Sequence, residues 1–260
     1  MCAAPREPVL LDVARAIGRD VQSTLAGTLG PQPLDDLVDE VHAFAADLTT
    51  RAVEASEDPR RHLPVCRAGC DSCCRVHAVF VAPAEALRLA SYLRSTRSPE
   101  ALTTLRAALD SLAPRTAGMS LQDRADARVP CPLLDEATGS CTVHPVRPLL
   151  CRGYNSCDLS ACLRQLETRD LQTTPPGNAE QSVVHKHVFA GLVLGAGRGR
   201  VAGPLELIDA LRTALSTPDA EARWLAGEPV FDPSATRIGR EKAEEWRAFV
   251  ERETATPADE

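Results

Sequence analysis

Eight of the chain's ten cysteines fall in two stretches that show neither helical nor strand periodicity. The first is Cys66-Arg-Ala-Gly-Cys70-Asp-Ser-Cys73-Cys74, four thiols within nine residues. The second carries Cys131, Cys141, Cys151 and Cys157, with prolines at 130, 132, 145 and 148. Gly69 lets the first stretch bend so that several sulfurs turn inward, and the prolines stiffen the second before any ligand arrives. Thiolates are soft donors that suit zinc and iron–sulfur clusters. A Cys-x2-Cys spacing gives two sulfurs a common bite on one metal. A chain of 260 residues can bury a core without staples, and ten cysteines are too dilute for a disulfide scaffold. The N-terminal segment MCAAPREPVLLDVARAIG has no signal-peptide pattern. The expectation is therefore a reducing, cytoplasmic setting, where grouped cysteines bind metal or do chemistry rather than pair.

The rest of the sequence reads as helices around these two loops. Val9, Leu10, Val13, Ile17, Val21 and Leu25 recur at steps of three and four, predicting a helix over residues 9–26. A second is predicted over 34–55, with Asp35 and Asp36 in its first turn, where the helix dipole favours them. Further helices are predicted over 83–95, 99–112, 158–169, 179–194, 204–215, 218–226 and 240–252. Residues 57–77 and 114–156 are predicted irregular, with a short extended piece at 79–81. The fold class expected is mainly α, an irregular helical domain with two cysteine-rich metal-binding loops and little or no sheet. The division expected is N-terminal helices over 1–60, a cysteine-cluster domain over 61–172, a helical region over 173–252 and a disordered tail over 253–260, or one domain throughout.

Composition narrows the function. A net charge of −7 and 3 % aromatic residues leave neither a basic surface nor a stacking platform for nucleic acid. No run of 18 apolar residues exists to span a membrane. A protein or small-molecule partner is left open. Metal ligands are expected at Cys70, Cys73, Cys74, Cys131, Cys141 and Cys151, joined by Cys66 and Cys157. Arg147 and Arg152 bracket Cys151 and are placed to offset thiolate charge and donate hydrogen bonds to sulfur. His144 and Tyr154 are candidates for the same supporting role. No catalytic residue is singled out. Adjacent Cys73 and Cys74 point in different directions, which favours a multinuclear iron–sulfur centre over a single zinc ion.

The segments GCDSCC (69–74), CPLL (131–134) and GSCTVHPVRPLLCRGY (139–154) resemble the YkgJ-like cysteine-cluster family of zinc- or iron-chelating domains, named for its CxxCxxCC motif. The resemblance spans about 66–157, with one departure, a Cys66-x3-Cys70 spacing in place of x2. It implies a bound metal without fixing which. It also implies, through related flagellin lysine N-methylases, an enzyme using an iron–sulfur cluster and S-adenosylmethionine, so whether the chain is an enzyme stays open. Cys66-x3-Cys70-x2-Cys73 matches the spacing of radical S-adenosylmethionine enzymes too. That fold needs a strand before the motif and alternating strands and helices after it, and residues 60–65 are a poor strand.

Some signals have plainer readings. His185-Lys186-His187 lies on a helical pattern, where consecutive residues face different ways. The glycines at 191, 195, 197 and 199 have no strand leading into them, so a helix end with a flexible exit is expected rather than a phosphate loop. Cys2 is read as incidental, and Cys162 as a helix residue or spare ligand.

Overall fold

The structure is a computed structural model that describes residues 7–27, 33–56, 64–196 and 203–254. The elements run α1 (Glu7–Leu25), α2 (Leu34–Ala55), α3 (Ser72–Val76), β1 (Phe80–Val81), α4 (Pro83–Thr96), α5 (Pro99–Thr116) and α6 (Leu121–Asp126). Then come β2 (Leu134–Asp135), β3 (Ser140–Cys141), a 3-10 turn at His144–Val146, α7 (Leu149–Gly153), α8 (Leu159–Thr168) and α9 (Ala179–Gly195). The chain closes with β4 (Leu205–Glu206), α10 (Leu207–Ser216), α11 (Ala220–Leu225) and α12 (Arg237–Thr254). The expectation of a mainly helical fold holds. Among the described residues the sheets are two antiparallel pairs of two-residue strands, β1 with β4 and β2 with β3.

Helix α9 is the centre. Its sequence Val183–Gly195 is apolar on nearly every side, the pattern of a helix enclosed by others. Helices α1, α2 and α7 pack around it. Gly195 and Gly191 make the close approaches to α1: a Cβ on Gly195 would stand 2.4 Å from Val21 Cβ, and one on Gly191 2.7 Å from both the Ala14 carbonyl oxygen and Ile17 Cβ, so glycine at these positions lets α1 come in. One hydrophobic cluster runs from Ala14 on α1 to Trp246 on α12 and includes Leu133, Val143, Val146 and Leu149 from the second cysteine-rich stretch.

Local signals set the helix ends. Pro83 and Pro99 each open a helix with a missing N–H that would be unpaired there anyway. Asp158 caps α8, its carboxylate accepting from Ser160 N at 2.8 Å and Ala161 N at 3.2 Å. The regions expected to be irregular contain short elements that periodicity cannot reveal. Ser72–Val76 forms one turn of helix. Leu121–Asp126 begins on a reciprocal cap, in which Ser120 Oγ accepts from Asp123 N and Asp123 Oδ2 accepts from Ser120 N. Leu149–Gly153 is a single turn. Helix α10 starts at Leu207 rather than 204, because Leu205 and Glu206 pair with β1 instead. The expected disordered tail began at 253, but α12 continues through Thr254, and residues 255–260 lie outside the described residues, as do the 197–199 glycines and Cys2.

Beneath the cysteine-rich loops, Arg124 of α6 reaches Glu206 across 3.2 Å, both side chains almost wholly enclosed. Burial pushes the Glu206 carboxyl up, and Arg124 counters that shift. Glu206 Oε2 also accepts from Ile208 N at 3.0 Å, so one carboxylate closes an ion pair and caps α10. Arg124→Ala leaves that charge buried and unpaired. It should cost about 3–5 kcal/mol in urea denaturation; a loss under about 1 kcal/mol would show the pair to be unimportant.

Candidate metal centre

The two cysteine-rich stretches lie against each other. Cys131 N donates to the Cys74 carbonyl at 2.8 Å, a backbone bond between residues that are both expected ligands. Gly69 and Gly139 meet beside it. Both have left-handed backbone, with φ of +79° and +65°. A Cβ on Gly139 would fall 2.7 Å from the Gly69 carbonyl oxygen. Glycine is needed at 139 twice over, for its conformation and for the contact. Arg75 spans the seam outside, reaching Asp71 at 2.6 Å and Glu136 at 3.1 Å.

Each thiol has a defined mounting. Helix α3 carries Cys73 and Cys74, whose thiols share a hydrogen bond, so the divergence expected of consecutive helical residues does not extend to their sulfurs. Cys131 is fixed by its bond to Cys74. Cys141 sits on β3 opposite Leu134. Cys151 rides on α7, the most firmly held of these pieces. Leu149 N donates to Glu85 Oε1 at 2.7 Å, and that oxygen also accepts from His42 Nε2 at 3.0 Å. Glu85 Oε2 accepts from Ala82 N at 3.0 Å, and the residue is 1 % exposed. The far end of α7 is tied to α9: Gln181 Nε2 donates to the Arg152 carbonyl at 2.7 Å and Ser182 Oγ to that of Gly153 at 2.9 Å. These bonds satisfy carbonyls a helix end leaves open. Cys157 N donates to the Pro176 carbonyl at 2.7 Å.

Arg147 is the cation among these thiols. Its guanidinium donates to the Cys151 carbonyl through Nη2, and its Nε is buried without a hydrogen-bond partner. Arg147 draws the Cys73, Cys141 and Cys151 thiols toward ionisation. Opposing effects are larger. Cys73 is pushed strongly up, first by sharing a hydrogen bond with Cys74 and then by burial. Burial pushes Cys131 strongly up, and Cys151 up to about 12. Cys70, Cys141 and Cys157 are raised by the same cause. These thiols are therefore neutral at pH 7 until something takes their protons. Among the described residues, no three His, Cys, Asp or Glu side chains stand close enough together to hold one metal ion.

The other expected participants are placed as follows. Arg152 braces the loop, donating from Nε to the Arg147 carbonyl at 2.6 Å and from Nη2 to the Pro145 carbonyl at 2.7 Å. The Tyr154 hydroxyl lies 2.6 Å from His77 Nε2 and 3.3 Å from Gln165 Oε1, so its polar contacts are to these two side chains. His144 is exposed, its pKa lowered by desolvation and by Arg147 and Arg152. His185 and His187 are buried on α9, each donating from Nδ1 to the carbonyl one turn back, at 2.9 and 2.8 Å. They are structural, as their helical pattern suggested. Cys66 is exposed, and Cys162 on α8 is half-buried. Sequence reasoning missed Glu85 and Gln165. Glu85 was visible only as an acidic residue in a first helical turn, and its role depends on what packs above it.

Gly139→Val should force the two stretches apart. The expected outcome is faster reaction of the thiols with an aromatic disulfide reagent and a lower melting temperature; unchanged labelling would contradict the close contact at Gly69.

The model of the CxxCxxCC family, described as a putative zinc- or iron-chelating domain, matches residues 65–176. No curated protein and no solved structure matches the chain. The matched segment begins at the Val65–Ser156 contact, ends at the Pro176 carbonyl that receives Cys157 N, and takes in both cysteine stretches. Over residues 65–176 this chain is therefore similar to the putative zinc- or iron-chelating domain of the CxxCxxCC family.

Proposed function

We propose that this chain holds an iron–sulfur cluster or zinc through thiolates of both stretches, with Cys70, Cys73, Cys74, Cys131, Cys141 and Cys151 as principal ligands and Cys66 and Cys157 as additional ones. The supporting observation is the Cys131–Cys74 backbone bond, which sets ligands remote in sequence side by side. Coordination requires the thiols to give up their protons and turn to a common point, and a metal cation supplies the reason to do both. Arg147 then balances part of the negative charge that several thiolates bring. The number of thiolates, more than one tetrahedral ion accepts, favours a multinuclear cluster over a single zinc ion.

The role proposed is electron transfer or metal handling in the cytoplasm, with a protein or small-molecule partner and without nucleic acid. No helix among the described residues is long and apolar enough to cross a membrane. Lysine N-methylation with S-adenosylmethionine is the enzymatic alternative. It rests on resemblance, and calorimetric titration with S-adenosylmethionine tests it: saturable heat supports an enzyme, and a flat trace removes it.

Anaerobic purification followed by absorption spectroscopy and metal and sulfide analysis tests the proposal. A brown protein with iron and acid-labile sulfide is expected, and a colourless one with zinc alone excludes the redox role. Cys73→Ser and Cys151→Ser should lose metal and stability together, since metal affinity is partly folding energy, while Cys2→Ser changes neither. Equal loading in all three would overturn the ligand assignment.

The raised thiol pKa values carry a sign. Folded values above the unfolded one mean that the apoprotein keeps this stability below about pH 8.5. It loses it as pH rises toward the folded values, about 12 for Cys151. The melting temperature of the apoprotein should therefore fall above about pH 8.5 while that of the loaded protein holds. Loading at pH 7 should release about one proton per thiolate coordinated, read in a weakly buffered indicator solution. Loading without proton release would exclude thiol ligation.

A further inference from the structure

A cleft of about 400 Å³ opens between α4, α5 and the link from α10 to α11, and no residue of either cysteine-rich stretch lines it. That volume falls within the roughly 300–1,000 Å³ of small-molecule sites. The sequence makes the cleft by stopping α10. Pro218 cannot continue the helix and holds Thr217 extended, at φ −78° and ψ 122°. Leu215 and Ala220, each 2 % exposed, give the cleft an apolar wall.

Charges of both signs line this space without pairing. Arg94 from α4 and Arg106 from α5 bring guanidinium groups, and Asp219 and Glu221 bring carboxylates. Among the described residues none of the four forms an ion pair. Arg94 is positioned by Nη2, which donates at 2.7 Å to the Ala214 carbonyl, one that the end of α10 leaves open. Asp219 stands at the N-cap of α11, where a carboxylate ordinarily accepts from the first free amides. Here its backbone is left-handed, with φ 49° and ψ 34°, and its side chain makes no capping bond. Burial raises the Glu221 carboxyl, Asp35 raises it further, and Arg94 opposes both. Asp35 Oδ2 accepts from Ser91 Oγ at 2.6 Å and lies 3.6 Å from Arg88 Nη1, while its Oδ1 is buried without a donor. Neighbouring carboxylates with an acceptor unmet are what an ammonium group relieves.

We propose that this cleft binds a free α-amino acid as its zwitterion, the carboxylate on Arg94 and Arg106, the ammonium on Asp219 and Glu221, and the side chain against Leu215 and Ala220. The proposal is independent of the metal-binding reading. The planar fork of arginine matches a carboxylate, and an ammonium carries three donors for carboxylate oxygens. A ligand with one charge alone leaves half of the polar groups unmet, which is how such a site rejects it.

Calorimetric titration of the full-length chain with glycine, L-leucine, L-glutamate and L-lysine, one of each side-chain class, tests this. Methylamine and acetate serve as the single-charge controls. At least one amino acid should bind saturably, and at least tenfold more tightly than either control. Arg106→Gln and Glu221→Gln should each weaken that binding tenfold or more and leave the ligand-free melting temperature unchanged, since Arg106 is exposed and Glu221 half-buried. Arg106→Gln should affect acetate and the amino acid alike, and Glu221→Gln the amino acid and methylamine. The proposal is overturned if none of the four amino acids binds, if acetate or methylamine binds as tightly as they do, or if both variants bind as the native chain does.

Discussion

The short hydrogen bond from Cys131 N to the Cys74 carbonyl, with the Gly69–Gly139 contact beside it, is what the candidate centre depends on. It joins residues 57 positions apart through backbone atoms, so it survives most side-chain changes but not a Cβ at Gly139. Closing a loop of that length carries an entropic cost that grows only slowly with length. The hydrophobic cluster beneath offsets it, since Leu133, Val143, Val146 and Leu149 from the second stretch are buried with the helices.

The helical body acts as a mounting. The C-terminal half of helix α9, residues 188–195, is apolar all round because it is enclosed, and glycines at 191 and 195 let α1 in close. From its polar N-terminal half, Gln181 and Ser182 hold the end of α7. Glu85 holds the beginning of the same turn from α4. A five-residue helix has no stability of its own, so the position of Cys151 is set by neighbours on two other helices. Such holding from outside places a thiol before a metal arrives. The neutral state that burial imposes keeps the thiols from repelling one another meanwhile.

Much of this was legible in the sequence. The helix over 34–55 was bounded by Pro33 and by loss of periodicity, and its observed limits are the same. The cysteine spacing and the glycine at 69 pointed to a thiol-rich knuckle, and the first and second stretches do adjoin. Single-turn elements were not legible, because α3, α6 and α7 are shorter than the period that would reveal them. Glu85 could not be read as the anchor of α7 without knowing that α4 lies under residue 149. Tyr154 looked available to a sulfur, yet its hydroxyl is taken up by His77 and Gln165, which only tertiary contact reveals.

The central claim is that the ligands are sulfurs drawn from both stretches. X-ray absorption at the edge of the bound metal in the native, anaerobically prepared chain tests it most directly. The account predicts a first shell of sulfur alone, at about 2.3 Å, whose amplitude drops when either Cys73 or Cys151 is replaced by serine. A shell dominated by oxygen or nitrogen, or one indifferent to both replacements, would contradict it.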